Sequence, residues 1–213
     1  MPSPSATDRA VAPRSKPGPP AVLGLRERKK ARTRVAIQEH ALRLFRDRGY
    51  DETTVEQIAE AAEVSPSTFF RYFPTKEDVV MYDVFDPILI DVFRRHPADL
   101  APLTAFRRAM HEVFADLPVS EIRKQAEREE LIRSVPELRL RMLEEFTRTL
   151  EVAIGLLAER TGRPTSDLAV RSLAGAVIGV SLATWLTSET HLLEGYLEEM
   201  DAGLAQLEAG LPF

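Results

Sequence analysis

Apolar positions recur along this chain with the 3.6-residue period of helices, and no stretch alternates with the two-residue period of a strand. Val35, Ile37, Ala41, Leu44 and Phe45 form one such series, which begins near Arg26 and stops at Gly49. Thr54-Val55-Glu56-Gln57 reads as a capping box, in which a Thr hydroxyl and a Gln amide satisfy each other's orphan backbone amides, so a helix is expected from Val55 to about Ala61. Ser65-Pro66 is a second start, because Ser is a good N-cap and Pro is tolerated at the first helical position. Thr75-Lys76-Glu77-Asp78 is a third, with two acids where the helix dipole favours them. Beyond it, Pro87, Pro97, Pro102, Pro118, Pro136 and Pro164 punctuate long amphipathic stretches. They predict helices near 76–95, 104–117, 120–134, 137–161, 167–188 and 191–209, the first kinked at Pro87. An all-α fold follows, without internal repeats.

Within this pattern Thr54 to Phe73 stands apart. Val55, Ile58, Ala59 and Ala62 give the first short helix an apolar face. Phe69, Phe70 and Phe73 are read as the inner side of the second, and Ala62-Glu63-Val64 joins the two. Ala59 is small where two helices must cross closely, and Val64 can fill the angle between them. This is a helix-turn-helix signature, whose second helix enters the DNA major groove.

Charge sharpens that reading. The net charge is -5, yet residues 1–76 carry 14 Lys/Arg against 9 Asp/Glu, and residues 77–213 carry 14 against 24. A basic front suits a polyanion, although two differently solvated surfaces would look the same. Residues 1–24 hold six of the fifteen prolines and are expected to be a disordered arm. The chain has no cysteine, so disulfides and thiolate chemistry are excluded. It has no asparagine and 23 Arg against 5 Lys, the bias of a GC-rich coding sequence. Prolines stand where the apolar core of a signal peptide would be. The longest uncharged run, Ser172 to Ser188, is interrupted by Ser181, Thr184 and Thr187 and reads as a buried helix rather than a span.

The run Ile37, Ala41, Phe45, Gly49-Tyr50, Thr53-Thr54-Val55, Ile58-Ala59, Val64-Ser65, Thr68, Tyr72-Phe73 and Lys76-Glu77 resembles the amino-terminal domain of TetR-type regulators. Ser67 stands where that family often has Gly, and Phe70 where it often has Tyr, so no phosphate contact is carried to Phe70. The resemblance implies a three-helix DNA-binding domain at 25–75 and a larger ligand-binding and dimerisation domain at 76–213. Thr54 and Ser65, at helix N-termini, are candidate phosphate contacts. Ser67, Thr68 and Arg71 are candidates for base edges, with Arg71 able to fork onto guanine. Tyr72 can reach a phosphate through its hydroxyl. Lys76 opposes its own helix dipole, an arrangement that a phosphate between the two would reverse. Arg28, Lys29, Arg32 and Arg34 lie near the DNA backbone in the family; a solvated basic face is the alternative. Taken alone, each of the others reads as an ordinary cap or solvated side chain; within the motif it reads as a DNA contact.

The rear half carries no catalytic constellation. His40, His96, His111 and His191 lack metal-ligand spacing. Gly179-Val180-Ser181-Leu182-Ala183 has the letters of a nucleophile elbow but lies in an apolar helical run. No enzyme activity, cofactor or metal is therefore expected. Gly175 and Gly179, four apart, and the stripe of Leu192, Leu193, Tyr196, Leu197 and Met200 are expected to form a homodimer interface, as similar paired helices do in the family. Phe106, Met110, Phe114, Met142, Phe146 and Trp185 are the candidate lining of a ligand cavity, with plain core as the alternative for each; Arg123, Arg133 and His111 could recognise an anion there, although nothing in the sequence selects them. Leu131 to Arg139 is similar to the rear domain of actinobacterial TetR-type proteins, some with acyl-thioester or other lipid-like effectors. The function expected is a cytoplasmic repressor, a dimer on a palindromic double-stranded operator, released by a partly apolar small molecule and independent of membranes. A DNA-binding activator or architectural protein without an effector is the alternative.

Overall fold

The computed structural model describes residues 25–115, 117–188 and 193–211. The arm at 1–24, and His191 and Leu192 ahead of the last helix, lie outside the described residues. In chain order the helices are α1 (Leu25–Arg48), α2 (Val55–Ala61), α3 (Pro66–Tyr72), α4 (Lys76–Met81), α5 (Asp86–Arg95), α6 (Pro102–Phe114), α7 (Val119–Ser134), α8 (Pro136–Thr161), α9 (Leu168–Thr187) and α10 (Leu193–Glu208). No strand occurs among the described residues.

The starts follow from local chemistry. Thr54 and Gln57 close the expected capping box in both directions, at 3.0 and 3.3 Å. Ser65 Oγ accepts the Thr68 amide at 3.1 Å, and Thr75 and Asp78 cap α4 reciprocally. Gly49 ends α1 at φ +92°, a conformation that costs Gly nothing. Glu63 occupies the same left-handed region at φ +55° in the α2–α3 turn. Around that turn Ile37, Ala41, Phe45, Ile58, Ala59, Phe69 and Phe73 make a closed core.

Pro87 does not kink a long helix. The stretch 76–95 is two helices, and Pro87 sits in the first turn of α5, where its missing N–H costs nothing. Asp83 accepts the Phe85 amide at 2.7 Å and helps to start α5. The break leaves α4 with orphan C-terminal carbonyls, which two buried polar side chains satisfy. Gln38 of α1 donates to Val79 O (2.9 Å) and Tyr82 O (2.6 Å). Arg128 of α7 donates to Val80 O (2.7 Å) and Met81 O (3.5 Å). The short helix α4 is thereby clamped from both sides.

The rear helices pack on two further clusters, one around Val92, Phe93, Ala109 and Val170 and one around Leu103, Met110, Val177, Met200 and Leu204. Arg107 of α6 forks onto Asp201 of α10 at 2.8 and 3.0 Å. Close approach of α9 and α10 occurs at Gly203, where a Cβ would stand 2.7 Å from Val180 Cγ1.

Candidate functional site

Two regions carry the chemistry. The first is the exposed side of α2, α3 and the start of α1. Phe69 and Phe73, one helical turn apart, point inward, and that rotation turns Ser67, Phe70 and Arg71 outward. Phe70 is thus a correction to the expected inner face: it is half exposed and meets Phe69 edge-on at 5.4 Å. Arg71 extends over the Tyr72 ring, 5.5 Å from its centroid, and has no carboxylate partner among the described residues. The Ser65 hydroxyl bonds to both Ser67 Oγ and Thr68 Oγ1 at 2.9 Å, so these three hydroxyls form one chain at the start of α3. Thr54 stands exposed at the start of α2.

Arg28, Lys29 and Arg32 are exposed on the first turns of α1, without an ion pair among the described residues. Arg34 is different. It donates to Tyr72 O at 3.0 Å and stacks over Tyr82 and Phe73, tying α1 to the end of α3. Lys76 also has partners inside the chain. Its Nζ donates to Tyr50 O (2.9 Å) and Thr53 O (3.3 Å) and lies 3.9 Å from the Tyr50 ring centroid. These contacts help to hold the cation at this helix start from within the chain. The Tyr50 hydroxyl in turn donates to Glu77 at 2.9 Å, and burial, followed by that bond, pushes its pKa up.

The second region is a cavity of about 450 Å³ between α5, α6, α7, α8, α9 and α10. Phe106, Met110, Phe114, Met142, Phe146 and Trp185 all line it. So do Leu193, Tyr196, Leu197 and Met200. Within the chain, Met200 is buried against the core, and the Tyr196 hydroxyl meets Ser181 Oγ at 2.6 Å. Burial raises the Tyr196 pKa to about 12, against the opposing effect of the Ser181 bond. Ser181 lies within α9, so the sharp strand-to-helix turn of a nucleophile elbow is absent there. Gly175 and Gly179 face the other way, with open space where a Cβ would be. With Ala183 between them, Leu168 (76% exposed) and Leu186 (55% exposed) continue that uncovered apolar face along α9.

Of the polar wall of the cavity, sequence reasoning named Arg133 alone, and neither Arg123 nor His111 is among the lining residues. Arg128 is buried and, besides the α4 carbonyls, reaches Asp83 at 3.2 Å and Gln125 at 2.7 Å. Glu129 accepts the Trp185 indole N–H at 3.1 Å, and Arg133 stacks over the same ring at 5.0 Å. Asp86 also lines the cavity. Its pKa rises to about 6, through burial first and then the nearby Asp83 carboxylate, with Arg128 opposing. In the sequence such residues look like any solvated helix face.

Residues 37–81 match the family model described as bacterial regulatory proteins, tetR family, and residues 100–212 match the one described as MftR C-terminal domain. The chain is 41% identical over 120 residues to the HTH-type transcriptional regulator TcmR of Streptomyces glaucescens, a match spanning 55% of this chain and about half (52%) of that protein. It is 27% identical over 198 residues to the chain assigned as the mycofactocin biosynthesis transcriptional regulator MftR of Mycobacterium tuberculosis, covering 84% of this chain and 95% of the relative. Among solved structures, the TetR-family repressor FadR of Thermus thermophilus, in complex with lauroyl-CoA, superposes with TM-score 0.53 at 26% identity, over 84% of this chain and 95% of FadR.

Proposed function

The chain belongs to the TetR family of bacterial transcriptional regulators, and on that premise we propose that it is a cytoplasmic repressor that binds a palindromic operator as a homodimer and is released by a small, partly apolar effector. One observation carries the proposal. The same short helix, α4, is gripped at its C-terminal end by Gln38 of the reading domain and by Arg128 of the cavity wall. A ligand that alters Arg128 or its Asp83 partner therefore acts on the helix that follows α3. It needs only to prefer the arrangement in which the two recognition helices no longer match successive major grooves.

In this reading Ser67, Thr68 and Arg71 meet base edges. Thr54, Ser65, Tyr72, Lys76 and the Arg28–Arg32 segment meet phosphates, which set affinity and register rather than sequence preference. The uncovered α9 face around Gly175 and Gly179 is the two-fold contact. Two-fold symmetry then puts the recognition helices about 34–36 Å apart, one DNA turn. The cavity argues against an architectural protein, which needs none.

The test is a gel shift on the DNA upstream of the chain's own coding region, followed by titration of small molecules into the complex. A discrete complex on one palindrome, dissolved by a ligand that quenches Trp185, is expected. Uniform coating of unrelated DNA, unaffected by any cavity ligand, would overturn the proposal.

A further inference from the structure

The cavity walls are mostly aromatic and aliphatic, yet four carboxylates and three guanidinium groups also line them. Their pairing is uneven. Asp83 has Arg128 at 3.2 Å. Glu129 has Arg133 at 3.9 Å together with the Trp185 indole. Glu145 has Arg148 at 2.8 Å and Arg141 at 3.6 Å. Each guanidinium stands within 4 Å of a carboxylate, and every donor nitrogen of Arg128 already has an acceptor, while the buried Arg133 Nε makes no hydrogen bond among the described residues. Asp86 remains: it has no ion pair and no side-chain hydrogen bond among the described residues. The cavity holds one negative charge in excess.

We propose that the cavity selects a cationic, largely apolar small molecule, whose positive group pairs with Asp86 while its apolar body lies against the aromatic wall. The inference rests on the reading of this cavity as the effector site and adds the sign of the effector's charge. Asp86 is placed for the role. It opens α5 beside Phe85, whose ring lies 5.4 Å from that of Phe114. A cation held between a carboxylate and such rings gains from both. An anionic amphiphile would instead meet a carboxylate that has no ion pair, and would have to share Arg133 with Glu129.

The protonation behaviour agrees in direction. The groups facing Asp86 are Asp83 from the α4–α5 connection, Arg128 from α7, Glu145 from α8 and the Tyr196 hydroxyl from α10. Burial and two like charges outweigh one cation already committed elsewhere, and the carboxyl loses its proton near pH 6. An added cation restores the balance, so its binding strengthens as pH rises from 5 to 7.5.

Trp185 is the sole tryptophan of the chain and lies in the cavity wall, so its fluorescence reports occupancy. Dodecyltrimethylammonium, dodecanol and dodecanoate, each below its micellar concentration, share a tail and differ in charge. For the full-length protein at pH 7.5 the cation is expected to quench Trp185 at a concentration about tenfold below that of dodecanoate, a factor equal to about 1.4 kcal/mol. Asp86→Asn should remove that preference, and Asp86→Glu should retain it, with far-UV circular dichroism checking that both variants fold. Equal binding of cation and anion, or a preference unchanged in Asp86→Asn, overturns the charge assignment while leaving the cavity as a ligand site. If dodecanol also fails to quench, the cavity is not a site for amphiphiles, and both readings fall.

Discussion

In the first three helices Ile37, Ala41, Ile58, Ala59 and Phe69 have no exposed surface, and each of α2 and α3 begins at a satisfied cap. Behind them, six helices stand around about 450 Å³ of space, with ionised groups in the wall. Both regions use amphipathic helices, but they bury them to different ends. The front closes on itself because a surface that reads DNA must hold its side chains in fixed register. The rear leaves volume unfilled because a ligand has to enter it, and unfilled volume forgoes the dispersion contacts that would make it rigid. The clamp on α4 joins the rigid part to the deformable one.

The largest expected effect tests this contrast directly. Phe69→Ala should cost about 3–5 kcal/mol of folding stability in denaturant melts, because it empties a closed core. Phe106→Ala in the cavity wall should cost less than about 1.5 kcal/mol, since part of that ring already faces space. Equal costs would break the comparison.

Next comes the interface. Gly179→Leu should separate the dimer, as read by sedimentation, and abolish operator binding, because a branched side chain there holds two helices apart at a cost of about 1–3 kcal/mol. A folded variant that stays dimeric and binds its operator would remove the α9 face from the interface.

Arg71→Ala should relax base preference at one position of each half-site, by about 1–3 kcal/mol, measured by competition among operator variants. Weakening without altered preference would make Arg71 a phosphate contact. Lys76→Ala should weaken operator and random DNA equally and flatten the salt dependence by about one unit. A lower melting temperature with an unchanged slope would confine Lys76 to the carbonyls of Tyr50 and Thr53.

The smallest effect concerns pH. Because burial raises the Asp86 pKa to about 6, above its ordinary 3.8, the folded chain holds a proton that the unfolded chain has released between those values. This contribution to stability therefore falls as pH rises from about 4 to 6. Asp86→Asn should melt slightly higher than the parent at pH 7.5 and level with it at pH 4. A parallel offset at both pH values would assign the change to packing instead.

The helices, their caps and the reading motif were legible because their causes are local. A capping box needs four consecutive residues, Thr54 to Gln57, and the spacing of Phe69 and Phe73 already makes a face. Phe70 was misread because three phenylalanines in five positions look like one face until the helix is wound. Pro87 was misread for a related reason: proline forbids a position inside a helix equally by bending it or by starting a new one, and Asp83 and the partners of α4 decided for the second. The six cavity residues could be named from side-chain type, but not separated from core. Whether an apolar side chain meets another or meets space depends on helices distant in sequence. The same holds for polar groups. Gln38 and Arg128 read as surface residues, and only the fold brings them to the carbonyls of Val79, Val80, Met81 and Tyr82. By itself the sequence determined element type, element starts and the family of the reader, since those follow from contacts a few residues apart. Tertiary structure alone decided where α10 turns its stripe, which charge lacks a partner and how the two regions are joined, because each depends on groups forty or more residues apart meeting in space.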